Sequence, residues 1–333
     1  MSDLRRKGLF LLVSAIMVAT GLAAVQSVEG AWPEKPITLY IPYSAGGSTD
    51  SSARALAVGM EKALGQQIVL INKTGGTGTV ALGVLAGAKP DGYTLSVGVN
   101  SGLIWTPIQR KVPYKPLASF TNIFCYATAP TATVVNTDSP FKTWKDLVEY
   151  GRKNPGKLKY STTGTGSPFH VGMEIAAKQE GFKWIHIPYK GTMPALTALL
   201  GKHVDACTAG PKFADYVKSG QMRIIGMFTK DRVPQFPDAP TFVEMGINVY
   251  NTVGLYSLFG PAGLDPAIVK KLEDAVSQAM ETNVFKDMSK TFLMVPLKIR
   301  SEEFTKMLEE NWRTNSKVLV EMGRVKKPAT APR

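Results

Sequence analysis

The sequence predicts an α/β protein of two domains, each a mainly parallel sheet flanked by helices, with a cleft between them. Strand-like and helix-like patterns alternate in two blocks, residues 37–99 and 143–229, as parallel strands joined by helical crossovers do. In each block one strand-suited run ends in small, hydroxyl-bearing and glycine residues where a helical pattern begins: YIPYSAGGSTD (residues 40–50) and YSTTGTGSPFH (residues 160–170). Two amphipathic helices close the chain without a sheet of their own, and they pack most economically on the first block. The expected division is therefore residues 1–31 as signal peptide, 32–125 with 252–333 as a discontinuous first domain, and 126–251 as an inserted second domain.

The N-terminus has Arg5, Arg6 and Lys7, then the apolar run 8–25, then small residues around 21–24. That is the layout of a secretory signal; an N-terminal membrane anchor is the alternative. ITLYIPY (37–43) reads as a strand, and SAGGS (44–48) as the loop after it. Ala53, Leu56, Ala57, Met60 and Leu64 follow at helical spacing, with Ser48 or Thr49 as expected N-cap and Gly65 as stop. QIVLIN (67–72) and YTLSVGV (93–99) are further strands, with a helix through Val80, Leu82 and Leu85 between them; residues 100–118 read as irregular.

Apolar runs at 119–127 and 131–136 precede the second block. There Thr143 caps a helix, LKYST (158–162) is a strand, and Ser167 caps the next helix with Pro168 at its first position. KWIHIPY (183–189), VDACTAG (204–210) and QMRIIGMFT (221–229) are strands separated by helices starting near Thr192 and Phe213. The closing helices are capped by Asp265 and Ser301.

The net charge is +13, and residues 1–31 contribute only three basic and two acidic groups to it. A basic exported protein suits anionic ligands through long-range steering. The Lys and Arg residues are scattered, with one dense run at the C-terminus (RVKKPATAPR), read as a solvated tail, so nucleic acid is not expected as a partner. Cys125 and Cys207 are too few for a disulfide framework and read as two buried thiols in preference to a single bond. No metal and no cofactor are expected.

A helix start offers unpaired N–H groups and the positive end of its dipole. At the first corner the hydroxyls of Ser44 and Ser48 join those amides; at the second, Thr163, Thr165 and Ser167 do so beside the amides of Gly164 and Gly166. Asp50 complements the dipole, and Tyr43 and Tyr189 end strands where they can wall a pocket. His170 lies in the first turn of its helix, where a satisfied helix-start side chain is the plainer alternative. Lys190 either adds charge to the site or is solvated. TGGTGTV (74–80) is a weak dinucleotide-like echo, better read as a tight turn. GTGSP (164–168) is not a nucleophile elbow, since Ser167 stands one place late.

In their order, IPYSAGGSTDSSAR, INKTGGTGT, AKPDGYTL, STTGTGSPFH, IPYKGTMPALTALLGKHVD and PDAPTFVEMG resemble the extracytoplasmic binding proteins of tripartite tricarboxylate transporters, the Bug family, from about residue 33 to about 322. The resemblance implies a type II-like periplasmic-binding-protein fold that closes on a carboxylated solute. It also implies delivery of a small organic carboxylate, di- or aromatic, to a membrane permease by a periplasmic, monomeric, non-enzymatic receptor. The implied site is Tyr43 to Asp50 (with Ser44, Gly46, Gly47 and Ser48), Asn100, Ser101, Thr163 to His170 and the end of the strand holding Asp205, at Ala209. Ala209 stands where many members carry Asp, which suggests a less polar distal end suited to an aromatic or longer aliphatic acid. Tyr43, often Phe in the family, adds a hydroxyl. A periplasmic sensor with a signalling partner and, in another class, a small hydrolase using His170 stay open as alternatives.

Overall fold

Alternation in ITLYI places Ile37, Leu39 and Ile41 of the first strand, β1 (Ile37–Ile41), in the core. The computed structural model describes residues 32–247, 249 and 254–327. The expected signal peptide, the start of the returning segment at 252 and the end of the basic tail lie outside the described residues. The chain divides into two units after Glu34, and every element below belongs to the second.

After β1 come α1 (Ser48–Leu64), β2 (Ile68–Asn72), α2 (Thr79–Ala86) and β3 (Thr94–Gly98). Gly65, at φ 68°, ends α1 in the left-handed conformation that glycine adopts without strain. The expected Ser48 or Thr49 cap is replaced by Gly47, with no side-chain cap. The reason is local: the Asp50 carboxylate accepts from Gly46 N (2.9 Å), and the Ser48 hydroxyl is bonded to the Tyr256 hydroxyl (2.9 Å). Residues 100–118, expected to be irregular, contain a buried π-helical turn (Ser101–Trp105) running into α3 (Thr106–Gln109). Then follow β4 (Phe120–Ala129) and β5 (Ala132–Asn136).

The second block runs α4 (Trp144–Lys153), β6 (Lys159–Thr162), α5 (Pro168–Gln179), β7 (Ile185–Pro188), α6 (Thr192–Leu200), β8 (Ala206–Ala209), α7 (Phe213–Lys218) and β9 (Met222–Met227). Thr143 caps α4 in a reciprocal box with Asp146, as its sequence predicts. The chain ends with β10 (Gly254–Pro261), α8 (Pro266–Glu281), α9 (Asn283–Thr291), β11 (Val295–Arg300) and α10 (Ser301–Glu321). Asp265 caps α8 as expected, whereas α10 is preceded by Arg300 with no side-chain cap. There the Ser301 amide donates instead to Glu273 (2.8 Å).

Among the described residues two sheets form, with strand orders β11-β4-β10-β3-β1-β2 and β7-β6-β8-β5-β9. The first has two parallel and three antiparallel pairings, the second two of each. β1 runs parallel to β2 and β3, and β6 to β7 and β8. β10 runs antiparallel to both β3 and β4, β11 antiparallel to β4, and β5 antiparallel to β8 and β9. β4 stays paired with β10 through Ala129, so the expected division after residue 125 falls inside one strand.

The closing helices pack on the first block. Phe304, Leu308 and Trp312 of α10 share a core with Leu82, Leu103 and Ile104. The second sheet has its own aromatic core, in which Trp144 meets Phe182 and Phe242 edge-on. Cys125 in β4 and Cys207 in β8 are buried and free, on different sheets, and burial pushes their thiols up to about 11 and about 12.

α1 and α8 cross closely at Gly59, where a Cβ would lie 2.4 Å from the Ala279 Cα. That neighbour is backbone and the next is the Ala279 Cβ, which cannot turn aside, so the helices would have to separate. Gly59→Ala is expected to lose about 1–3 kcal/mol of unfolding free energy despite alanine's better helix propensity. Urea denaturation measures it, and an unchanged midpoint would contradict the crossing.

Candidate functional site

The corner after β1 is held by a carboxylate, not left open for one. Asp50 is 3% exposed and accepts from Gly46 N, Arg54 (Nε and Nη2, both 2.9 Å) and Asn72 (2.8 Å). Burial alone would raise its pKa, but the hydrogen bonds from Arg54, Asn72 and Gly46 outweigh burial and hold it below the usual range. The Gly46 amide is thus occupied. Tyr43 is buried, and its hydroxyl donates to Thr77 O (3.3 Å); burial raises its pKa well above the ordinary value.

The second corner is built likewise. Ser167 is fully buried and accepts from His170 N (3.2 Å) as the cap of α5. Gly164 N donates to Thr162 Oγ1 (3.2 Å), and Gly166 N to His170 Nδ1 (2.9 Å). That contact leaves His170 the tautomer protonated at Nε2. His170 stacks on His186 with centroids 4.0 Å apart, and His186 in turn bonds Thr162 Oγ1 (2.8 Å). Burial first, then the neighbouring His186 and Arg324, lower His170 to about 3; burial and Arg324 lower His186 to about 4.

The corners meet across the cleft. Thr77 Oγ1 donates to Thr165 O (3.1 Å), and Gln109 Nε2 to Gly166 O (3.0 Å), each from the first-sheet side to the second. Ser44 closes on Gly191, where a Cβ would lie 2.3 Å from the serine Oγ, so this approach needs glycine. Thr77 itself sits at φ 60°, a left-handed conformation that is strained for a β-branched residue.

Two cavities lie between the corners. The inner one, about 30 Å³, is lined by Tyr43, Ser48, Thr49 and Tyr256 from one side and by Thr131, Thr163, Phe169 and Thr192 from the other. The side-chain hydroxyls of Thr49, Thr131, Thr163 and Thr192 have no hydrogen-bond partner in the protein among the described residues. The outer cavity, about 190 Å³, is lined by Tyr43, Gly75 to Gly78, Arg110, Thr163 to Thr165, Tyr189 and Lys190. No acidic side chain lines either cavity. Larger surface grooves of about 680 and 750 Å³ lie elsewhere and take no residue of the two corners.

A profile of the TctC family, described as the tripartite tricarboxylate transporter family receptor, matches residues 52–324. The chain belongs to this family. It is 34% identical over 316 residues to the "UPF0065 protein in gbd 5'region" of Cupriavidus necator, covering 94% of this chain and 96% of that protein. Among solved structures it is similar to the periplasmic binding protein BugD (27% identity, TM-score 0.81, 88% of this chain and 99% of that one). It is also similar to MatC from Rhodopseudomonas palustris with bound malate (26% identity, TM-score 0.82, 86% and 100%). TctC receptors with these structures share the two-domain binding-protein architecture described above.

Of the residues the sequence singled out in this TctC chain, Tyr43, Ser48 and Thr163 reach the inner cavity, and Tyr43, Thr163, Gly164, Thr165 and Tyr189 the outer one. Ser44, Gly46, Gly47, Asp50, Asn100, Ser101, Gly166, Ser167, His170 and Ala209 line neither. The Ser44 hydroxyl and Asn100 Oδ1 are buried without partners among the described residues. Ala209 is fully buried in β8, and the next residue, Gly210, meets the inner cavity. Sequence reading missed Tyr256, Thr131 and Thr192 as cavity residues, and Arg110 altogether. Tyr256 gave no signal, being mid-strand in an apolar run; Thr192 was legible as a helix start after a strand and was read only as that.

Ser167→Ala is expected to lower unfolding free energy by about 1 kcal/mol through loss of the cap, with ligand affinity within about threefold of the wild type. Calorimetric titration beside urea melts separates the two effects. Because both histidines bind protons more weakly folded than unfolded, stability should be full above about pH 6.5 and fall on acidification. Carboxylates with lowered values contribute only below about pH 5. Between pH 7 and pH 5 the urea midpoint should drop, and His186→Gln should flatten that dependence; a flat wild-type profile would refute the assignment.

Proposed function

We propose that this chain is an exported receptor that closes two lobes over a small organic carboxylate and delivers it to a membrane permease, without turnover. One observation carries the reading: four threonines, from both sides of the cleft, line one small cavity, and their hydroxyls make no hydrogen bond among the described residues. Each free hydroxyl can donate to an occupant, so the cavity suits one that accepts hydrogen bonds. About 30 Å³ is room for one or two waters or a single carboxylate group. The absence of acidic lining and the net charge of +13 favour an anion. The malate bound by MatC is in keeping with this ligand class.

In this reading the two lobes are residues 35–129 with 254–327, and residues 132–227 with the segment that follows, hinged where the chain crosses between sheets. A ligand touching Thr49 and Thr163 at once favours the closed state because only that state offers both contacts. The receptor acts as a monomer in the periplasm after loss of its leader. Binding without catalysis is supported by the engagement of His170 Nδ1 with an amide and of the Ser167 hydroxyl with a helix cap. Neither is poised as a base or nucleophile.

A thermal-shift screen of mono-, di- and tricarboxylates, aromatic ones included, should find acids that raise the melting temperature. Thr163→Val should weaken the best of them at least tenfold, as expected for loss of a hydrogen bond to a charged group, with the ligand-free melting temperature little changed. A screen in which no carboxylate stabilises the protein would overturn the proposal.

A further inference from the structure

The outer cavity carries a feature that carboxylate capture by the inner one does not use. Arg110 comes from the first-sheet side, just after α3, and Lys190 from the second, just after β7. Both line the same chamber of about 190 Å³, and neither has an acidic partner among the described residues. Arg110 Nη2 donates to Gly76 O (3.1 Å), which holds the guanidinium over the glycine loop 75–78; the Lys190 ammonium makes no hydrogen bond among the described residues. Two like charges brought onto one chamber by closure repel each other, and nothing in its wall offsets them. The threonines of the inner cavity are neutral, so a carboxylate bound there leaves this charge uncompensated. Tyr43 and Thr163 form the wall common to both chambers, so a ligand anchored at Thr163 sits beside the outer one.

We propose that Arg110 and Lys190 form a second anion subsite, which takes the far carboxylate of a solute whose first carboxylate is held by the inner threonines. The inference rests on the carboxylate-receptor reading and adds to it the selectivity: dianions over monoanions of the same chain length. The selectivity arises in closure. Only a ligand with a second negative charge relieves the repulsion between cations of opposite lobes, so it stabilises the closed state beyond what a monoacid does. The subsite also gives the strained Thr77 turn a role, since its bond to Thr165 O fixes the chamber's floor against the second corner.

The test is calorimetric titration of the wild type, Lys190→Gln and Arg110→Gln/Lys190→Gln with matched pairs: butyrate and succinate, hexanoate and adipate, benzoate and terephthalate. The wild type should bind the diacid of at least one pair more than tenfold tighter than its monoacid. In the double variant the two should come within about threefold, through loss of diacid affinity and with monoacid affinity unchanged or raised, since the repulsion that opposed closure is gone. Lys190→Gln, which removes no contact within the protein, should give part of the effect at an unchanged melting temperature. Retained diacid preference in the double variant, or a wild type that binds acids without preferring diacids, overturns the subsite alone. A wild type that binds no acid of any pair overturns the receptor reading and this inference together.

Discussion

The cleft is organised by the energetic demand that buried polar groups find partners. At both strand-to-helix corners the chain meets this demand internally wherever a partner is within reach. Asp50 takes the Gly46 amide, His170 the Gly166 amide, Thr162 the Gly164 amide and Ser167 the start of α5. These bonds make the corners rigid, so that little conformational freedom is left to lose when a ligand arrives. What lies between them is defined by exclusion: threonine hydroxyls with no hydrogen-bond partner among the described residues, and two cations, Arg110 and Lys190, that line the outer cavity. The site is therefore a set of leftover donors held in place by satisfied ones.

The supports behind the second corner extend well into the protein. Trp184, Tyr160, His186 and His170 stack in succession, the first pair and the last pair each at 4.0 Å. Tyr160 donates to Glu174 on α5 (2.6 Å), and Arg324, beyond α10, pairs with the same carboxylate at 3.9 Å. Val171 and Ile175 of α5 pack into the core that holds Leu103 and Trp312. The helix that carries the second corner thus leans on the end of the chain and on the π-helical turn of the first sheet's side. The two sides of the cleft are thus joined by a packed surface as well as by the contacts across it.

The sequence was a good guide to elements that announce themselves locally. α1 ended at Gly65, α4 began at the Thr143 box, and α5 began at Ser167–Pro168, each because the chemistry of a helix end lies within four residues of it. β11 was missed because VPLKIR has a single proline-broken alternation and finds its place only against β4, with a register shift between Pro296 and Ile299. The π-helical turn at 101–105 was read as irregular, since its residues are buried all round and show no helical face. The motif-bearing corners were legible, but which of their atoms face the cleft was not. Ser167 and Thr163 look equally available in STTGTGSPFH, yet one caps a helix and the other lines both cavities.

By itself, then, the order of residues determined the alternating strands and helices, the two glycine-rich corners, the basic balance and the membership in a receptor family. The first three follow from propensities, spacings and counts read a few residues at a time; the last rests on the ordered motifs that resemble the family. The tertiary structure alone decided that Thr131 and Thr192, Tyr256, Arg110 and Lys190 share chambers with Tyr43 and Thr163. Those residues come from separate segments of the chain, and what brings them together is the closure of one sheet's loops upon the other's. Polar atoms acquire a function there only once every nearer partner has been assigned, and that assignment depends on distances no local pattern encodes.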